Sequence, residues 1–252
     1  MNTAATGGGF YFDKTSDGAT IGRFGLLDSL GVTHGVTTLQ GFDTALAASD
    51  PGAAATGFAG ALGLENAAWL EQVHGTDSII VESPGLAGPA DGLMTDTRRL
   101  ALVGRSADCP LVIVADTALG AVGMFHAGWR GTAGGIAKAF VRELVHRFDC
   151  DPANLAACIC PSVGMCCYEV GKDVQNAAMK GLGPHTVKFF EYRKGKLHFD
   201  MQGCIRDQLL RVGLTRGNVQ IAGVCTICHE DLFCSYRLHG AHAGRFQAAI
   251  AR

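Results

Sequence analysis

The chain has 252 residues, 48% of them hydrophobic and only 17% charged, with a formal net charge of −2. That length and apolarity suit one sizeable core, and the near-neutral charge removes the electrostatic case for a nucleic-acid partner or an anionic membrane. No linker, charge block or repeat divides the chain, and no uncharged apolar run reaches the length of a membrane span. The opening MNTAATGGGFYF lacks the basic-then-apolar pattern of a signal peptide, so a soluble, cytoplasmic protein is expected. Its 10 cysteines are expected as free thiols in a reducing compartment.

Residues 1–33 are glycine-rich and weakly patterned, an N-terminal extension or the edge strands of the same domain as 34–252. Residues 34–39 are β-branched and bounded by glycine, a strand. Asp50-Pro51 starts a helix, with Asp50 as N-cap, that carries Phe58 and Leu62 and stops near Gly63. Residues 77–82 form a buried strand, 83–89 a Pro/Gly loop, and Ala90-Asp91-Gly92 a turn. Residues 100–106, 111–115 and 121–125 are apolar runs of strand length, with Asp108-Cys109-Pro110 between the first two and His126 after the third.

The clearest helix begins at Ala133. Ile136, Ala137, Phe140, Val141, Leu144, Val145 and Phe148 continue an i, i+3, i+4, i+7 stripe, while Lys138, Arg142 and Arg147 lie off it. Further on come a strand at 156–160, a cysteine-rich loop at 161–168, helices at 172–182 and 202–213, and a strand at 219–224. Residues 233–237 and 244–246 suggest closing strands. Strands and helices alternate irregularly, which predicts mixed sheets covered by helices in one α/β (α+β) domain.

His74, Cys109 and His126 carry the first chemical expectation. One cysteine and two histidines match zinc's preferred donors, and three protein ligands leave a fourth position for water or substrate. They stand 35 and then 17 residues apart, which follows no short metal motif. Singly, each has a plainer role: a turn cap, a core thiol, a strand-end histidine. What unites them is that all three sit at polar breaks flanking apolar strands. Gly128 to Gly135, with Arg130 inside it, follows a strand and opens a helix, so it predicts an anion pocket for phosphate or carboxylate; tight helix packing is the plain alternative. GxxxxGK[ST] is absent, which argues against nucleoside triphosphates. Cys225-Thr226-Ile227-Cys228 lacks a second CxxC and reads as structural thiols; the nearest pairs are Cys158-x-Cys160 and Cys166-Cys167. The H-x-E and P-C-x-x-C motifs of cytidine-type deaminases are missing, as are the His-x-His pairs of four-copper oxidases.

Taken in order, Gln72-Val73-His74-Gly75, Ala90-Asp91-Gly92, Ala107-Asp108-Cys109-Pro110, His126-Ala127-Gly128-Trp129-Arg130-Gly131, Cys166-Cys167-Tyr168-Glu169-Val170 and Ser235-Tyr236-Arg237 resemble the laccase-domain family, also called multicopper polyphenol oxidase proteins. The resemblance implies a four-layer α/β/β/α sandwich with mixed sheets and zinc on His74, Cys109 and His126. It also implies phosphorolysis of adenosine, inosine, guanosine and methylthioadenosine, adenosine deamination, or both, with a nucleoside and phosphate as partners. Asp91 and Asp108 are the acid/base candidates, and Arg130 the phosphate or ribose holder. Apart from a non-catalytic nucleoside-binding module, two enzymatic alternatives stand beside this. One is a cysteine hydrolase acting on peptidoglycan precursors, as in relatives called peptidoglycan editing factors, with Cys109 as nucleophile. The other is a copper-dependent polyphenol oxidase, although copper binds Cys/His sites tightly whatever their function. The sequence departs from the family at 45–60, at Arg105-Ser106 and at Cys160-Pro161-Ser162-Val163-Gly164, and it leaves the oligomeric state open.

Overall fold

A strand buried on both faces sends successive residues into different cores, and this chain builds its layers that way. The computed structural model describes residues 9–252. Along strand Leu100–Ser106, Leu100 and Leu102 enter a core between two sheets, while Ala101 and Val103 join the core under helix Pro51–Ala61. Along Leu111–Asp116, Leu111, Ile113 and Ala115 face the same inter-sheet core, while Val112 and Val114 face helices Ile136–Phe148 and Met201–Arg211. Helix, sheet, sheet and helices therefore stack as four layers in a single mixed α/β domain.

The first sheet runs in the order Phe10–Lys14, Thr20–Phe24, Thr33–Thr37, Phe246–Ala251, Leu100–Ser106, Asn66–Glu71, Gly85–Pro89. The second runs Val219–Ile221, Leu155–Ile159, Leu111–Asp116, Val122–His126, Gly92–Thr95, Ser78–Ile80. Both mix parallel and antiparallel neighbours. The chain passes from the first sheet to the second at residues 107–110, so Asp108-Cys109-Pro110 is the crossing itself.

Several elements follow directly from local sequence. Asp50 Oδ1 accepts from Ala53 N–H at 3.0 Å and Pro51 occupies the first turn, starting the helix where expected. The expected helix from Ala133 is divided in two. Gly135, at φ +86°, ends a short helix Trp129–Gly134 and precedes Ile136–Phe148, because a left-handed residue cannot continue a right-handed helix.

Other expectations are corrected. Gly85–Pro89, expected as loop, is an edge strand, and Phe190–Arg193 with Lys196–Phe199 makes an unexpected hairpin. Residues 236–239 form a short helix rather than a closing strand, while Phe246–Ala251 is a central strand buried throughout. Of the 1–33 stretch, residues 1–8 lie outside the described residues; the rest supplies two strands at the edge of the first sheet and a short helix, Gly25–Ser29. No helix among the described residues is long and apolar enough to cross a membrane.

Phe140 fastens the helical layer to the second sheet. It is fully buried, lies 4.8 Å from the Phe125 ring, and occupies the space above Gly92 and Gly123. Phe140→Ala is expected to lower unfolding free energy by about 3–5 kcal/mol in urea titrations, the range for aromatic truncation in a rigid core. A loss under about 1 kcal/mol would show that this layer does not carry the fold.

Candidate metal centre

Every functional candidate gathers at one end of the sandwich. His74 follows strand Asn66–Glu71 of the first sheet, His126 ends Val122–His126 of the second, and Cys109 lies on the crossing between them. The structure brings these three together: their donor atoms all lie within 4.8 Å of one another. The two imidazoles meet edge to face, centroids 4.8 Å apart at 86°. Gly128 closes over the group. A Cβ there would meet His74 Cδ2 at 2.8 Å, Cys109 Sγ at 3.5 Å and His126 Cε1 at 3.7 Å, so the glycine is required for close approach. This donor set can hold a metal ion, and all three residues line a cleft.

One buried carboxylate organises two of the three. Asp91 Oδ1 lies 2.8 Å from His126 Nδ1, leaving Nε2 for other work. Asp91 Oδ2 accepts from Gly75 N–H at 2.5 Å and Val73 N–H at 3.3 Å, bracketing His74, whose φ of +62° is in the left-handed region. Burial opposes its ionisation, but these hydrogen bonds win and hold the Asp91 carboxyl below its usual range. Burial likewise pushes the Cys109 thiol up, yet hydrogen bonds from His126 and His74 outweigh it and bring the thiol down to about 6. For His126, burial pushes the imidazole down; the Asp91 carboxylate and the Cys109 sulfur prevail and raise it to about 9.

Asp108 is placed differently. Its backbone has φ +87°, its carbonyl accepts from Val163 N–H, and its carboxylate accepts from Thr226 Oγ1 at 2.6 Å, Ser235 Oγ at 3.0 Å and Arg237 N–H at 2.7 Å. The carboxylate ties its own crossing segment to Thr226 and to the start of helix Tyr236–His239. Its hydrogen-bonding capacity is largely taken, and Asp91 does not line the cleft, so the geometry gives both aspartates positioning contacts.

The cleft beside the trio has a volume of about 620 Å³. Four guanidiniums line it, from Arg105, Arg130, Arg237 and Arg245. Among the described residues, none of the four forms an ion pair with a carboxylate. Arg130 lies over Trp129 at 4.2 Å and Arg237 over Tyr168 at 4.8 Å. Burial, and then repulsion from Arg245, push the Arg105 guanidinium down. Gln72 holds the Arg105 backbone at both ends, accepting from its N–H at 3.1 Å and donating to its carbonyl at 2.9 Å.

The positive charge of the cleft comes from arginines beyond the 128–135 turn as well as from Arg130 within it. The glycines of 128–135 serve packing, as Gly131 does against the Gly75 carbonyl and Gly134 against Thr76. Arg130 does line the cleft, but the sequence assigns no anion-holding role to Arg105, Arg237 or Arg245. Arg105 lies more than a hundred residues from the other two, and only the fold brings it beside them.

A family model described as multi-copper polyphenol oxidoreductase laccase matches residues 51–252. A protein of Geobacillus stearothermophilus named purine nucleoside phosphorylase YlmD is 36% identical over 201 residues, covering 75% of this chain and 73% of that one. A purine nucleoside phosphorylase of Bacteroides thetaiotaomicron is 33% identical over 71% of this chain, and the match spans 62% of that protein's length. The crystal structure of YlmD from Geobacillus stearothermophilus superposes with a TM-score of 0.86 at 30% identity, covering 96% of this chain and 98% of its own.

Proposed function

This chain belongs to the multi-copper polyphenol oxidoreductase laccase family, and we propose that within it the protein is a zinc-dependent purine nucleoside enzyme. Its partners would be a nucleoside and phosphate, not nucleic acid or membrane, and its compartment the cytoplasm, where 10 free cysteines stay reduced. The observation that carries this reading is one cleft holding a Cys/His₂ donor set beside four guanidiniums without carboxylate partners. A volume of about 620 Å³ is in the range of small-molecule sites.

His74, Cys109 and His126 would hold the ion, in keeping with their donor chemistry, the Asp91 bond behind His126 and the Gly128 cradle. A zinc ion held there would supply Lewis-acid chemistry to the reaction. The chain's own residues do the rest. The guanidiniums hold phosphate against C1′ of the ribose; the glycosidic C–N bond breaks as a phosphate oxygen bonds to C1′, and the departing purine nitrogen takes the proton that the hydrogen phosphate gives up. Fixed positive charge around the phosphate costs no reorganisation at that moment. Trp129, Tyr168 and Tyr236 give the base flat surfaces to stack on. Arg105 donates to the carbonyls of Ala47 and Ala48, so a guanidinium stands against the segment where the sequence departs from its family.

Zinc-loaded protein incubated with adenosine, inosine, guanosine or methylthioadenosine plus phosphate is expected to release ribose-1-phosphate or its methylthio counterpart. Ammonia from adenosine would assign deamination instead. No turnover of either kind with zinc fully bound would refute the proposal. The low Cys109 thiol beside His126 favours one second reading, a cysteine hydrolase. Activity that survives chelation but is lost on alkylation of Cys109 would select it.

A further inference from the structure

A second group of donors lies apart from the His74–Cys109–His126 centre. The Sγ atoms of Cys166, Cys167, Cys225 and Cys228 all fall within 4.8 Å of one another. Cys228 Sγ is 3.5 Å from Cys167 Sγ and 3.7 Å from Cys166 Sγ. A disulfide would need about 2.0 Å. Four thiolates around a tetrahedral zinc, each at about 2.3 Å, stand about 3.8 Å apart. The two Cys228 separations are close to that value, and all the others stay within 4.8 Å.

We propose that these four cysteines bind a structural zinc ion that clips the 160–171 loop to the 222–235 loop. The missing partner of the Cys225–Cys228 motif is thus the adjacent pair Cys166-Cys167, not a second CxxC. Topology explains the pairing. Strands Leu155–Ile159 and Val219–Ile221 are parallel neighbours, so the loops leaving their C-terminal ends emerge side by side, joined by the Ser162–Cys225 bridge. All four positions are cysteine, with no open place for substrate, which marks a structural site rather than a catalytic one.

The surroundings are built for close sulfur packing. Gly164 N–H donates to Cys225 Sγ at 3.2 Å, a contact that orients a thiolate ligand. A Cβ on Gly164 would meet Cys225 Cβ at 3.1 Å and Cys166 Sγ at 3.2 Å, so a side chain there would crowd the group. Cys166 and Cys228 are exposed, which gives an ion access from solvent.

The clip has a purpose at the cleft. The loops it joins carry Val163 and Thr226, which bond Asp108, and Tyr168, which lines the wall. The ion would hold the cleft's frame without touching what binds there.

The test is metal stoichiometry on the full chain purified under reductant and without chelator. Two zinc ions per chain are expected by mass spectrometry of the metal, falling to one in Cys109→Ala and to one in the Cys225→Ser/Cys228→Ser double variant. Should that double variant fail to fold, cobalt(II) titration of wild type and Cys109→Ala decides. Both should develop the intense thiolate-to-cobalt charge-transfer absorption of a tetrathiolate site. One zinc in wild type with none in Cys109→Ala, or no tetrathiolate spectrum in either, would overturn the proposal. So would a Cys166–Cys228 disulfide in the reduced preparation. A failure of the catalytic reading leaves the Cys109→Ala count at one, so the two proposals fail separately.

Discussion

Cys109→Ala is expected to lower nucleoside turnover by about 10³-fold or more, and to remove one bound metal ion, while the fold persists. Cys109 is the only anionic donor of the trio and sits between two imidazoles at the crossing of the sheets. Without its sulfur, two neutral histidines face a divalent cation. Losing several kcal/mol of transition-state stabilisation, at one factor of ten per about 1.4 kcal/mol, gives the stated magnitude. Cys109 belongs to none of the apolar cores, so the urea midpoint of the metal-free protein should move little. Steady-state rates with metal content measured on the same samples provide the check. Full activity in a metal-depleted variant would exclude the centre from catalysis.

The second large effect is expected at Asp91. Asp91→Asn should weaken zinc binding by about 10–100-fold, the usual cost of losing a carboxylate behind a ligand histidine. It should also change how binding depends on pH. In the metal-free chain His126 is raised to about 9 and is protonated at neutral pH. Metal requires the free Nε2 lone pair, so uptake expels that proton. Because the raised imidazole keeps its proton below about 9, affinity should climb about tenfold per pH unit through neutrality and level off as pH passes that value. The Cys109 thiol, brought down to about 6, steepens the climb only below that point. In Asp91→Asn the plateau should begin at lower pH, since the carboxylate no longer holds the proton on. Competition with a chromophoric chelator from pH 6 to 10 would reveal this, and an unchanged plateau would refute the assigned role of Asp91.

What was legible in the sequence was what local physics specifies. Helix Ile136–Phe148 declares itself by period, and its buried face is the stripe read from the chain. Strand Leu111–Asp116 is apolar through Ala115 because it is covered on both faces. The polar break at Asp108-Cys109-Pro110 was visible as an interruption, although nothing local says that the chain changes sheets there. The edge strand Gly85–Pro89 was illegible because partner backbone, not side-chain pattern, holds it. The hairpin Phe190–Phe199 lacks a clean alternation, and its stabilising contact, Phe190 stacked on Phe199 at 4.4 Å, appears only once the strands pair. Arg130, Cys166-Cys167 and the Cys225–Cys228 motif were visible as residues, but not the groups they join. The cysteine pairs meet because strands Leu155–Ile159 and Val219–Ile221 are neighbours, and the arginines because the fold returns 237–245 to Arg105 and Arg130, which spacing does not encode.

The crossing at 107–110 has a consequence for tuning the protein. His74 hangs from one sheet and His126 from the other, so the bite of the donor set measures the separation of the sheets. That separation is filled by the apolar core between them, Leu111, Met124 and Phe246 among its members. The sandwich is therefore built like a caliper. Thickening or thinning that dry layer one methylene at a time would change the bite of the donor set from positions outside it.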